Sequence, residues 1–362
     1  MTQRRVTIKQ VAEAAEVSIT TVSHILNDVP GKRIREETRA RVRDVANRLG
    51  YAPNLIAQGL RTNRSNTIGF IGDEVITTPF AGQLILGAQG VANKRGSVVL
   101  IVSTGREPSV ENREISELVR RQVDGILYAS MYHRPVSIPA ALRSIPTVVV
   151  NATCDGDTVA WVAPDEVAGG QDAAGVLIDA GHRRLAFIND TNDVPAALGR
   201  EEGFRIRAAA AGILAPDVTV IRAESNAVGG YQAAKALFAS SDRPTGIFCF
   251  NDRMAMGAYR AAAEAGLRIP EDVSVVGFDN QAYVADGVHP ALTTIELPHF
   301  EMGAWAAEEL FRRIDGNQTG QPPHLKLRGP VIHRNSVAAP PHVLTHREAQ
   351  PVSVEPLERR DR

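Results

Sequence analysis

The chain has 362 residues, a formal net charge of −1, 44% hydrophobic and 22% charged residues. This is the composition of a folded globular protein of two or three domains and excludes wholesale disorder. No run of about 18 apolar residues marks a membrane span, and the residues after Met1 hold no apolar stretch of the signal-peptide kind, which points to a cytoplasmic protein. The two cysteines, Cys154 and Cys249, form neither a disulfide framework nor a metal-ligand spacing, so no metal and no cofactor is expected.

The near-zero charge is a cancellation. Residues 1–64 hold 12 Lys and Arg against 6 Asp and Glu, a net of +6, which leaves −7 for the rest. A basic module joined to an acidic body is an electrostatic footprint for a polyanion, although a solvated charged helix face is the plainer reading.

The first element opens at Thr7, whose Thr-x-x-Gln pattern to Gln10 predicts a capping box. Val11, Ala12 and Ala15 carry that helix to about Ala15. Ser18 is a good N-cap for a second helix, in which Val22, Ile25 and Leu26 face inward. Thr20, Thr21, Ser23, His24 and Asn27 face outward. A loop with Asp28, Pro30 and Gly31 precedes a third helix, with Val42, Val45, Ala46 and Leu49 inward and Gly50 as its stop. Two short helices, a tight turn and a polar second helix make a helix-turn-helix whose second helix fits a major groove. Taken alone, such a pair is as often a scaffold element.

The segment YAPNLIAQGLR from Tyr51 to Arg61 resembles the hinge helix of the lactose/galactose/purine repressor (LacI/GalR) family. Val6–Asn27, VTIKQVAEAAEVSITTVSHILN, resembles that family's headpiece, and the likeness continues to about Ser336. The resemblance implies that Ile19, Thr20 and His24 read bases, in the manner of the purine-repressor branch. Thr7, Ser18, Thr21, Ser23 and Asn27 would contact phosphates or bases. Leu60 would be a wedge in the minor groove, with Asn54 and Ala57 on the same side and Tyr51 and Arg61 completing the DNA-binding set. An apolar wedge unstacks a base step and kinks the duplex. Two positions depart from the family: Glu16 stands where the turn has Gly or Asn, and Arg35 where Ser or Thr caps the third helix.

From Thr67 onward, short apolar runs alternate with helical stretches. Strands are expected at Thr67–Ile71, Ser97–Val102, Gly125–Ala129, Thr147–Val150, Leu185–Ile188, Val218–Ile221, Gly246–Phe250 and Val273–Phe278. Helices are expected at Gly82–Arg95, Glu111–Arg121, Val167–Ala180, Arg200–Ala211, Val228–Phe238 and Met254–Ala265. Such alternation means parallel sheets with helices on both faces, and some 270 residues are too many for one sheet. The resemblance implies a periplasmic-binding-protein-like domain of two lobes. The full organisation is then a headpiece at 1–52, a hinge at 53–64, the two-lobed domain at 65–338 and a disordered tail at 339–362. Lobe 1 takes about 67–163 plus 297–327, and lobe 2 about 164–296 plus 328–338.

Ligands of open α/β sheets bind beyond the carboxyl ends of the strands. Thr78 and Phe80 follow the first strand, Asn151 the fourth, Asn251 the seventh and Asp279 the eighth. Arg200 matches the family's effector-binding arginine. A ring of Asn, Asp and Arg around an aromatic suits a carbohydrate, with polar groups on hydroxyls and a ring on the CH face. Asn251 and Asp279 are open to a second reading as helix caps. The runs GDEVITTPFAGQ and GFDNQAYVADGVHPALTTIELPHFEMG look most like actinobacterial sugar regulators. His182, His289 and His299 are unclustered and read as structural or exposed. No HExxH, GxSxG, GxxxxGK[ST] or GxGxxG string occurs.

The expectation is a cytoplasmic DNA-binding regulator, a repressor of carbohydrate genes, rather than an enzyme. It acts as a homodimer on a pseudo-palindromic operator and is switched by a small-molecule effector, with no membrane partner. The rivals are a transporter's solute-binding protein, which leaves the basic headpiece without a purpose, and an enzyme on the doubly wound body, which a turnover assay would reveal.

Overall fold

The computed structural model describes residues 6–27, 31–51, 64–74, 80–156 and 158–341. Asn54, Ala57, Leu60, Arg61 and Thr78 of the expected site lie outside these residues, as does most of the tail.

The headpiece is three helices, α1 (Ile8–Ala14), α2 (Ile19–Leu26) and α3 (Glu36–Leu49). The capping box at Thr7 forms: its side chain accepts from the Gln10 amide, and Gln10 reaches back to the Thr7 amide at 2.8 Å. Ser18 caps α2 by accepting from the Thr21 amide at 3.0 Å. Gly50 ends α3 in the left-handed region at φ 67°. Glu16 takes φ 52° in the turn between α1 and α2, the geometry for which glycine or asparagine is the easier residue. Arg35 supplies no side-chain cap to α3. Val11, Ala15, Val22, Ile25, Val42 and Val45 form one small core that all three helices share.

The body holds two parallel six-stranded sheets. The first runs β13 (His324–Leu327), β7 (Ala160–Pro164), β5 (Thr147–Val150), β3 (Gly125–Ala129), β1 (Thr67–Gly72), β2 (Val98–Ser103). The second runs β14 (Val331–Ile332), β12 (Thr293–Glu296), β11 (Ser274–Asp279), β10 (Gly246–Cys249), β8 (Leu185–Asp190), β9 (Val218–Ala223), with only β14 antiparallel. A small ribbon, β4 (Pro135–Val136) with β6 (Thr153–Cys154), flanks the first. Central strands such as TVVV at 147–150 are buried on both faces, which is why they read as continuous apolar runs. By strand membership the chain crosses between the sheets three times, after β7, after β12 and after β13.

Helices α4 (Ala81–Lys94), α5 (Pro108–Arg120) and α11 (His299–Ile314) cover the first sheet. Helices α6 (Glu166–Asp179), α7 (Pro195–Ala210), α8 (Ala227–Phe238), α9 (Asp252–Glu264) and the short α10 (Ala282–Ala285) cover the second. Helix α7 starts at Pro195, five residues before the expected start at Arg200, because a proline at N1 loses no hydrogen bond there. Strands β4, β6, β7, β12, β13 and β14 and helices α10 and α11 were not anticipated. In the second lobe Phe187, Phe204, Phe248 and Phe278 stack in a chain at centroid separations of 4.3–6.1 Å. No helix among the described residues is long and apolar enough to cross a membrane.

Candidate nucleic-acid interface and effector cleft

Helix α2 buries Val22 and Ile25 and leaves the other face open. Ser18, Ile19 and Thr20 are exposed, Ile19 by 47%. Thr21, Ser23, His24 and Asn27 are half-buried beside them. Part of this set is engaged locally. Ser18 and Thr21 share a hydroxyl hydrogen bond at 2.9 Å, and Asn27 donates to the Ser23 carbonyl at 2.7 Å. Thr7 is tied into its capping box, and Tyr51 packs half-buried against the headpiece core. Ile19, Thr20 and His24 stand on the open face, with an apolar branch, a hydroxyl and an imidazole, groups that fit base edges and a thymine methyl.

The second constellation lies at the carboxyl ends of the strands, where the lobes meet. Arg200 on α7 is 3% exposed. Its Nε donates to Glu166 Oε2 at 2.8 Å, and its Nη1 donates to the Phe250 carbonyl at 2.6 Å. The guanidinium carbon sits 3.6 Å from the Phe278 ring centroid and 4.6 Å from that of Phe250. Asp279 approaches at 4.0 Å. Glu166, the first residue of α6, also meets His133 Nδ1 at 3.1 Å. His133 follows β3 of the first lobe, so this carboxylate joins the lobes. Burial pushes the Glu166 carboxyl up, but Arg200 and His133 outweigh it and hold it below the usual carboxylate range. For Asp279 burial wins over Arg200 and pushes it up to about 6.

The first lobe contributes an aromatic layer. Phe80 stacks on His299 with centroids 4.6 Å apart, and Tyr132 meets Phe80 edge-on at 6.4 Å. His299 is 4% exposed, and its Nε2 is buried without a hydrogen-bond partner. Burial pushes its pKa down to about 3, so it is neutral at pH 7. The reading of His299 as unclustered therefore fails: it lies in the field of Glu166 and Arg200. His182 is structural, bonded to Thr245 and to the Ala338 carbonyl, each at 2.9 Å.

Asn151 and Asp279 both take positive φ, 56° and 102°. Asn151 donates to the Ser130 carbonyl at 2.9 Å. Asn251 caps α9 by accepting from the Met254 amide at 2.9 Å and donates to the Ser225 carbonyl at 3.1 Å. Asp279 caps no helix; Gln281 donates to it at 2.9 Å. A φ of 102° for a non-glycine residue costs of order 1–3 kcal/mol and is typical of ligand sites. Arg253, on the first turn of α9 and in the field of Asp279, also has a buried Nε without a partner. Glu166, His133, His299 and Arg253 were missed. Glu166 carries one weak signal, an acid at the first turn of a helix, which is also an ordinary macrodipole complement. Among the described residues no cluster of His, Cys, Asp or Glu could hold a metal ion.

A helix-turn-helix joined to a two-lobed α/β domain with a polar, aromatic cleft defines a ligand-responsive DNA-binding regulator. Residues 7–54 match the bacterial regulatory proteins of the lacI family, and residues 174–337 the periplasmic binding protein-like domain. The ribose operon repressor of Escherichia coli K12 is 33% identical over 333 residues, 91% of this chain and 99% of that protein. The HTH-type transcriptional repressor PurR of Pectobacterium carotovorum is 32% identical over 341 residues, covering 93% and 98%. The solved complex of the transcriptional regulator CelR with cellobiose aligns at a TM-score of 0.63 and 28% identity, covering 92% of this chain and 100% of that one. The chain belongs to the LacI family of bacterial transcriptional regulators.

Proposed function

We propose that the protein is a cytoplasmic repressor of carbohydrate-utilisation genes whose operator affinity is set by a sugar or oligosaccharide bound between the lobes. The observation that carries this is the cleft itself. Arg200 is neutralised by Glu166, Arg253 lies in the field of Asp279, and burial keeps His299 uncharged. A site with balanced charge, donors beside acceptors and an aromatic layer matches hydroxyls, each of which donates and accepts. It disfavours a phosphate, which Asp279 and Glu166 would repel. The relative named for a ribose operon and the one solved in complex with cellobiose support the same class. We read the cleft as a binding site rather than a catalytic one: Glu166 is held between Arg200 and His133, and the His299 ring is stacked on Phe80.

Ile19, Thr20 and His24 read bases in this proposal; Thr7, Ser18, Thr21, Ser23 and Asn27 fix the register on the phosphates, and Leu60 wedges the minor groove. Two copies bind a pseudo-palindrome, since a two-fold protein reads a two-fold site. Exposed Val98 and Ile101 on the edge strand β2, with Leu86 on α4, are covered by the second copy, because such an apolar edge is a liability when bare. Effector binding closes the lobes and separates the hinge helices, which releases DNA. Switching from 99% to 1% competent needs about 5.5 kcal/mol of preference for the released state.

The test uses the full-length protein in two steps. Selection from a random duplex library should enrich a pseudo-palindrome. A thermal-shift screen of mono- and disaccharides should then find a sugar that weakens binding to it. No sequence enrichment overturns the DNA reading, and no shift with any sugar overturns the effector reading.

A further inference from the structure

Helices α4 and α11 both begin at the cleft and run in the same direction. At their start Phe80, the N-cap of α4, stacks on His299, the first residue of α11, at 4.6 Å and an interplanar angle of 3°. Between their ends the two backbones touch. A Cβ on Gly87 would overlap the carbonyl oxygen of Phe300, and one on Gly303 would overlap that of Leu84. Only glycine allows such an approach, and packing this close does not deform continuously. At the far end Arg95, the C-cap of α4, donates to Asp315, the C-cap of α11, at 3.0 Å and lies over the Phe311 ring at 5.4 Å.

That far end grips the chain arriving from the headpiece. Arg64 donates to the Ile314 carbonyl and to Asp315, each at 2.9 Å. A cation on the last carbonyl of a helix also meets the negative end of its macrodipole. Next to it the Ser65 amide donates to Asp124 at 2.7 Å. At 1.5 Å rise per residue the 14- and 16-residue helices span roughly 21–24 Å. The cleft and the DNA linker are thus the two ends of one welded pair.

We infer that α4 and α11 form a rigid strut that carries the state of the cleft to the linker, with the Phe80–His299 stack as its sensing end and the Arg64–Asp315–Arg95 cluster as its delivering end. The inference rests on the proposed function, in that the cleft controls DNA binding, and it names the parts that connect them. His299 is the residue suited to sense a guest: it is more than nine-tenths buried, its Nε2 has no partner, and Glu166 and Arg200 lie within its field. A guest that engages Nε2 shifts the first turn of α11. Because α11 cannot slide on α4 at Gly87 and Gly303, the pair moves together and pulls on Arg64. Phe80, His299, Arg95 and Asp315 are positioning residues, not DNA-binding ones.

The experiment needs no effector, so its failure is separate from failure of the sugar screen. Amide hydrogen exchange is followed by mass spectrometry in the full-length protein and in the variants Phe80→Ala, His299→Asn and Phe204→Leu. A perturbed sensing end should speed exchange in the peptide spanning residues 64–66 by about tenfold, because local opening there is coupled to the strut. Phe204→Leu loosens the core of the second lobe without touching the strut and should leave that peptide within about twofold. Asp315→Asn should in turn speed exchange at the start of α4, since coupling is reciprocal. Acceleration that stays within residues 80–84 and 299–303 overturns the inference. So does equal acceleration at 64–66 by Phe204→Leu, which would mean general loosening. If Phe80→Ala does not fold, the conservative His299→Asn decides the outcome alone.

Discussion

The carboxylate of Glu166 lies 2.8 Å from Nε of Arg200, and both side chains are no more than 5% exposed. Two elements of the second lobe are tied by this pair, and through His133 the carboxylate reaches the first lobe. Removing one partner leaves an uncompensated buried charge, whereas removing both does not. Glu166→Ala should therefore lower unfolding stability by about 3–5 kcal/mol, measured by urea denaturation. The double variant Glu166→Met with Arg200→Met should recover most of that loss while abolishing the response to sugar. Equal losses in the single and double variants would show that the pair contributes little through charge.

The imidazole of His299 makes the fold sensitive to acid. Its value falls from the usual 6.5 to about 3. A base depressed in the folded state contributes stability that is present above 6.5 and is lost as pH falls from there towards 3. Asp279 and Asp252, pushed up to about 6 and about 7 by burial, act the other way, because their cost relaxes as pH falls. The contribution of His299 is isolated by comparing the protein with His299→Phe. The variant's relative stability should grow by up to about 1.4 kcal/mol per pH unit below pH 6.5. Urea midpoints at pH 7, 6, 5 and 4 measure this, and a constant difference would refute it.

Acid should also weaken effector binding. Asp279 is the strained acceptor at the cleft, and an ionised carboxylate accepts hydroxyl hydrogen bonds that the protonated acid accepts poorly. Affinity for a sugar found in the thermal-shift screen should be full above pH 7 and fall below about 6. In Asp279→Asn the affinity should be low and flat with pH. Calorimetric titration across pH 5 to 8 gives the comparison.

At the headpiece, specificity and stability are predicted to separate. Thr20→Ala removes a hydroxyl from the open face and should relax the selected DNA sequence at one position, costing about 1–3 kcal/mol on the preferred site. The slope of affinity against salt should hardly change, since no phosphate contact is lost. Ser18→Ala instead removes the α2 cap and should cost about 1 kcal/mol of headpiece stability, visible in thermal unfolding. If Thr20→Ala weakens all sequences equally, Thr20 is a backbone contact.

Close approach of α4 and α11 predicts that Gly87→Ala destabilises the first lobe by roughly 1–3 kcal/mol, the range for overpacking. Gly82, also in α4, has open space around the same atom, so Gly82→Ala should be neutral or slightly stabilising through helix propensity. Melting temperatures of the two variants check the contrast.

Features of local origin were legible in the sequence. The capping box at Thr7 and Gln10, the Ser18 cap, the Gly50 stop and the apolar strands such as Thr147–Val150 depend on residues within a few positions of one another, so pattern alone specifies them. The class of fold followed from strand–helix alternation, and the headpiece from its order of helices. Even Glu16 at φ 52° could be expected to be strained. Asn151, Asn251 and Asp279 could be placed at strand ends, because that is where parallel sheets present side chains; Arg200, placed by the family resemblance, sits inside α7 and not at its start.

What those residues do was decided by tertiary structure. Asn251 has both polar ends bound to backbone, while Asp279 faces Arg200 and caps nothing. Glu166, His133 and Arg200 meet across separations of 33 and 34 residues. Phe80 meets His299, and Arg64 meets Asp315, only because α11 returns to the first lobe after the chain has built the second. Burial is a property of that assembled surface, so the neutral His299 and the raised Asp279 could not be read from residue type. Local free energies fix the elements; the charges and contacts of the cleft are set by which distant elements the two crossovers around α11 bring together.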